Sequence, residues 1–243
     1  MGKNKGAWTW VVLAGFWLCA CTAYQSNVQY NRLQNPVLGE VRHQSGQFIK
    51  THETIGHLVL REPLPLQVVD LPFNKQSYSQ YVKYLKTSRR ANTVPFNDSL
   101  PIAPRYVRLQ LADRVELIKL LNEESNKALC DYIVQDEDYG LVGSIDFTST
   151  DEGLAAFFNA SHVFLDQDEF GKPFMMLLKN RKQHEIYFKD IQIFDSEILS
   201  FCWAEDRYHN KYITNLTPVG DRCPKGSTKK AIILEKEREH IKF

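Results

Sequence analysis

Between residues 162 and 216 the chain alternates short β-favouring runs with turn residues, and this spacing constrains the fold more than any other feature. The runs are 162–165, 174–178, 185–194, 198–203 and 212–216, with Asp168-Glu169-Phe170-Gly171 and Asn180-Arg181 among the separators. β-Branched and aromatic residues suit a pleated, half-buried surface, whereas Asp, Asn and Gly tolerate turn geometry. Parallel neighbours need a crossover of a dozen residues or more, so connections this short predict an antiparallel meander.

Upstream, helical spacing recurs. Tyr78, Tyr81, Val82 and Leu85 follow Asn74, a capping residue type, and run into the basic segment 86–90. Asp113 precedes Val115, Ile118 and Leu121, a pattern that extends toward Leu129, and a third helix starts near Thr150 with Asp151 and Glu152 in its first turn, where carboxylates complement the helix dipole. Extended runs such as His57-Leu58-Val59-Leu60 dominate 37–69 until Pro63 and Pro65 interrupt them, and Tyr106, Val107, Leu109 and Leu111 read as a further strand. The expected class is therefore α+β, a largely antiparallel sheet or meander with about three helices. A Pro-punctuated connector over 91–105, with Pro95, Pro101 and Pro104, marks a possible sub-boundary.

The N-terminus has another character. Lys3 and Lys5 precede an apolar run over 7–18, shorter than the roughly 20 residues needed to span a hydrocarbon core about 30 Å thick, so it reads as a removable signal rather than an anchor helix. The run ends in Leu18-Cys19-Ala20-Cys21, which resembles the lipobox of bacterial lipoproteins. Leu18, Ala20 and Cys21 match that pattern, and Cys19 departs from the small residue usual at its position. The resemblance implies lipidation of Cys21 and attachment to a membrane through that lipid; Thr22, standing where an Asp would favour inner-membrane retention, implies the outer membrane. The expected organisation is a signal peptide over 1–20, a polar tether over 21–35, a globular domain over 36–226 and a polar C-terminal segment over 227–243.

Loss of the signal would leave 223 residues and, with Lys3 and Lys5 gone, shift the formal charge from +1 to −1. A near-neutral chain without a basic block has no electrostatic footprint for nucleic acid. Three cysteines lie in the folded part, Cys130, Cys202 and Cys223. Cys202 and Cys223 bracket a polar loop and are expected to pair, which would stabilise by roughly 3 kcal/mol in the chain-entropy model; Cys130 sits among apolar neighbours and reads as a core thiol.

Chemical motifs fail one by one. His52-Glu53-Thr54-Ile55-Gly56-His57 spaces its histidines five apart instead of the four of a zinc-protease helix, about 140° out of alignment on a helix and on opposite faces of a strand. Asp166, Asp168 and Gly171 mimic a calcium loop, but Phe170 and Leu177 stand where ligand oxygens belong. Ser227-Thr228-Lys229-Lys230 fits Ser-x-x-Lys without a helix to aim the lysine. Gly143-Ser144-Ile145-Asp146 reads as a strand beginning, and Asp136-Glu137-Asp138 as a solvated turn. No metal, cofactor or catalytic residue is therefore expected.

Three of the four tryptophans fall in the signal, leaving Trp203. With Tyr208 and Tyr212 it would form a stacking surface for a ligand such as a glycan; the alternative places Trp203 in the sheet core. The expected role is that of a lipid-anchored envelope component that binds or scaffolds other envelope proteins in an outer-membrane-associated assembly, without catalysis. The alternatives are a glycan-binding lipoprotein, or an envelope hydrolase, which would need a pocket uniting groups such as His162, His184, Asp190 or Cys130.

Overall fold

The computed structural model describes residues 35–45, 51–92, 94–96 and 103–234, with the backbone alone at 44–45 and 51–52. The signal, Cys21 and nearly all of the expected tether lie outside the described residues, which belong to one compact unit beginning at Asn35. Among them no helix is long and apolar enough to cross a membrane.

The centre of the sheet is β5 (Tyr139–Thr148), buried along almost its whole length on both faces. Segment 143–146 is thus the middle of a strand and not its beginning. One edge of β5 pairs with β9 (Gln192–Glu205). The other is shared by β1 (Glu40–Ser45) near its start and β4 (Arg105–Gln110) further along. The remaining strands are β2 (Thr51–His57), β3 (Leu64–Pro72), β6 (His162–Gln167), β7 (Pro173–Lys179), β8 (Lys182–Ile186) and β10 (Lys211–Pro218). The sheet order is β10-β9-β5-β4-β3-β6-β7-β8, with β1 joining β2 to β5, and every pairing is antiparallel. β3 links two ladders: residues 67–72 pair with β4 and residues 64–66 with β6. The helix at Lys75–Ser88 and the connector around 91–105 that follows it thus lie between two paired strands, β3 and β4.

The α+β class with a large antiparallel sheet holds, but three details differ from the sequence reading. The run 185–194 is broken by a 3-10 turn at Phe188–Asp190, and β9 continues through Asp195, Ser196 and Glu197. Those polar residues mimic a turn because this part of β9 lies only partly covered. After His57 ends β2, Leu58-Val59-Leu60 continue outside any strand; Leu58 N–H donates to the Gly39 carbonyl, and side-chain amides take the other bonds, Asn126 bonding both polar groups of Val59, and Gln167 accepting from Leu60 N–H and donating to Leu58 C=O. Among the described residues the helices number five rather than about three: α1 (Lys75–Ser88), α2 (Arg114–Leu121), α3 (Lys127–Ile133), α4 (Asp151–Phe158) and a helical stretch at 231–234. The second expected helix splits into α2 and α3 because the buried Asn126 spends its carboxamide on Val59 and on the Leu120 carbonyl.

Local chemistry sets the helix starts. Asn74 and Ser77 form a reciprocal capping box at α1, Asp113 accepts from Glu116 N–H at α2, and Thr150 accepts from Gly153 N–H at α4. Strand alternation then divides the burial: Val107 and Leu109 enter the main core, while Tyr106 faces a second cluster with Phe73, Tyr81, Leu85 and Phe194 that holds α1 to the sheet. The C-terminal segment docks as well, since Thr228 exchanges both backbone bonds with Trp203 (2.7 and 2.9 Å) and Ala231 is buried.

Candidate functional site

Helix α4 is short, and adjacent phenylalanines at its end have opposite fates. Phe157 is buried and meets Phe147 edge-on, centroids 4.8 Å apart, which pins the helix to β5. Phe158, one residue and about 100° further round, is 40 % exposed. Three hollows border the helix. The first, about 850 Å³, lies between α4 and the connector and is lined by Val94, Pro95, Pro104, Leu154 and Phe158. The second, about 500 Å³, lies on the other side of Phe158 against β3 and β6, lined by Pro65, Val68, His162 and Phe164. The Arg105–Asp70 ion pair, 2.6 Å, contributes one residue to each. The third, about 720 Å³, separates α4 from the β7–β8 hairpin, with Ala155, Ala156 and Leu177 as apolar walls and Lys179, Lys182, His184 and Glu152 as its charged and titratable lining. Volumes of this size match those of ligand sites.

The hydrolase candidates are not brought together. His162 lines the second hollow and His184 the third. Asp190 is exposed in the 3-10 turn. Cys130 lies on α3, where its thiol donates to the Leu121 carbonyl at 3.0 Å, and burial pushes the thiol up to about 11. A thiol so shifted is protonated at neutral pH and a poor nucleophile. Ser227 Oγ donates to the Pro224 carbonyl while Lys230 pairs with Glu137 at 2.6 Å, so the two are engaged elsewhere. Asp168 caps its own turn by accepting from Phe170 and Lys172 N–H. His57 ends β2, and the side chain of His52 lies outside the described ones.

Cys202 and Cys223 form a disulfide. Of the residues considered for a stacking surface, Trp203 is 3 % exposed and packed in the core, whereas Tyr208 and Tyr212 are exposed and the Arg207 guanidinium lies 4.6 Å from the Tyr208 ring centroid. Trp203 therefore does not join the two tyrosines at the surface.

Two polar clusters escaped sequence reasoning. Glu40 and Arg42, both buried, pair at 3.0 Å; Glu40 also accepts from Val37 N–H and the Thr54 hydroxyl, and Arg42 donates to the Asn35 carbonyl. His57 lies within their field: burial pushes its imidazole below the ordinary value, and its buried Nδ1 has no hydrogen-bond partner among the described residues. Separately, ligating atoms of His43, Asp136 and Asp138 lie within 4.8 Å of one another at the surface, His43 Nε2 being 3.3 Å from Asp136. Segment 136–138 is a turn, with Asp138 N–H bonded to the Asp136 carboxylate. The only sequence trace of the first cluster is a Glu-x-Arg spacing that puts both side chains on one strand face.

No family model, characterised protein or solved structure matches the chain.

Proposed function

We propose that the chain is a lipid-anchored cell-envelope protein that holds partner proteins, with the rim of α4 as its binding surface. The observation that carries this reading is the convergence of three hollows on one short helix that leaves Phe158 exposed between two of them. An aromatic ring flanked by preformed concavities is the usual anchor of a protein interface, and the candidate nucleophiles and bases are dispersed over separate elements. The N-terminal pattern supports the address: cleavage before Cys21 and acylation there would tether the domain to the outer membrane, since each buried methylene contributes about 0.8 kcal/mol and two or more chains make anchoring stable. Residues 22–35 would then act as a spacer.

The test combines address and surface. The mature N-terminus should have the mass of an acylated Cys21, and Cys21→Ser should move the protein to the soluble fraction. A tagged, membrane-extracted protein should cross-link to a stoichiometric partner that Phe158→Glu loses while its melting temperature is unchanged. An unmodified N-terminus starting elsewhere, or cross-links indifferent to Phe158→Glu, would refute the corresponding half.

A further inference from the structure

We propose that β8, with the hollow between it and α4, receives an extended acidic segment of a partner protein as an added strand; this rests on the α4 rim being a binding surface. β8 ends the sheet order and, among the described residues, pairs with β7 alone. In a hairpin with a two-residue turn the flanking pair is hydrogen-bonded, here Lys179 with Lys182. Antiparallel strands alternate such pairs, so His184 and Ile186 also direct their backbone groups at β7, while Gln183 and Glu185 present N–H and C=O to the open edge. These are the groups that an incoming strand needs.

The same alternation settles what the incoming side chains meet. Lys182 and His184 stand opposite Lys179 and Leu177, and all four line the hollow under α4. Residues of an added strand beside Lys182 and His184 would point into that hollow, toward Ala155 and Ala156, whose small side chains leave it open. The charges there are mostly of one sign. Lys179, Arg181 and Lys182 are exposed and in no ion pair among the described residues, and Glu152 is the one carboxylate in the lining. Acidic side chains at every second position therefore complement this face. Arg181 adds a second indication: with Asn180 it occupies the left-handed region (φ 65° and 51°), where hairpin turns favour glycine, so a bulky cation is held at the tip at a conformational cost.

The probe is a fluorescein-labelled eight-residue peptide of alternating glutamate and valine, titrated by anisotropy into the full-length protein in detergent at low salt. We expect saturable binding, more than tenfold weaker for Lys179→Glu/Lys182→Glu and for Gln183→Pro. The proline removes an outward N–H and no bond to β7, so the fold should survive, which far-UV circular dichroism verifies. Amide exchange should slow at Gln183 and Glu185 on binding. No saturable binding, or equal binding by a folded Gln183→Pro variant, would overturn the proposal. So would vesicles containing phosphatidylglycerol that compete with the peptide and bind Gln183→Pro as well as the wild type, for the cations would then serve a membrane contact. If the peptide fails while Phe158→Glu still abolishes partner cross-linking, this inference falls and the reading of the α4 rim stands.

Discussion

Replacing Arg42 by Met would test whether the buried pair at the base of the β1–β2 hairpin is a structural keystone. Both side chains are almost wholly removed from solvent, at 5 % and 2 % exposure, and they meet at 3.0 Å. The variant leaves Glu40 with its bonds to Val37 N–H and Thr54 but no cation, and takes a donor from the Asn35 carbonyl. Removing one partner of a buried pair typically costs about 3–5 kcal/mol, because the survivor remains desolvated and uncompensated. Against a typical total stability of about 5–15 kcal/mol this is a large fraction. At about 2–4 °C per kcal/mol for a domain of this size, the melting temperature should fall by roughly 6–20 °C. The double variant Glu40→Leu/Arg42→Met removes both charges together; although it also withdraws bonds from Val37 N–H, the Thr54 hydroxyl and the Asn35 carbonyl, it should be more stable than the single variant, because no uncompensated buried charge remains. The assay is urea unfolding of the non-lipidated Cys21→Ser protein, followed by tryptophan fluorescence and run as a double-mutant cycle. A single substitution costing under about 1 kcal/mol, or a double variant as weak as the worse single, would refute the argument.

Other outcomes follow from equally local geometry. Gly143→Ala places a Cβ 2.6 Å from Leu199 Cδ1 and 2.7 Å from its Cγ; thermal melts should show a loss of about 1–3 kcal/mol, less in a Leu199→Ala background. Asn126→Ala, which strips one bond each from Val59 N–H, Val59 C=O and Leu120 C=O, should cost about 1.5–4.5 kcal/mol by denaturation, at about 0.5–1.5 for each of the three bonds. Cys130, raised from 9.0 to about 11 in the folded protein, holds its proton more tightly folded than unfolded, so its contribution to stability is whole below pH 9 and is lost between about pH 9 and 11. Cys130→Ala should flatten that alkaline decline in denaturation curves, and native Cys130 should resist thiol labelling at neutral pH; ready labelling would show that the site is open.

How far the sequence could be read depended on the range of the interaction involved. Asn74, Asp113 and Thr150 announce helix starts because each cap bonds the backbone three residues on, and the β6–β7–β8 meander follows from turns of a few residues. The pairing of Cys202 with Cys223 falls in the same class, with the loop bringing its own ends together. β9 does not: its partner is β5, some fifty residues earlier, and nothing within 195–197 records that a strand edge waits there. The split of α2 from α3 depends on Asn126 finding Val59, and the burial of Glu40 and Arg42 on Thr54 and the Asn35 carbonyl.

The same reasoning explains why the α4 rim leaves no motif. A catalytic centre must place particular atoms against a reacting bond, which restricts residue types and spacing enough to be recognised. A hollow beside a helix needs only small side chains facing a sheet, and Ala155, Ala156 and Leu177 are unremarkable individually. What distinguishes the site arises from the sheet order, which among the described residues leaves β8 at an edge with its backbone available, and from the turn that holds Arg181 in a glycine's conformation. Arg181→Gly therefore separates the two demands on that turn. The substitution relieves the left-handed strain, of order 1–3 kcal/mol, while the added freedom of glycine in the unfolded chain returns about 0.5–1 kcal/mol of it. Thermal melts should show a protein as stable as wild type or more so, and anisotropy a weaker grip on the acidic peptide. If Arg181→Gly is both less stable and equally tight in binding, the arginine is held by native contacts that outweigh the strain, and its place at the hairpin tip says nothing of a ligand.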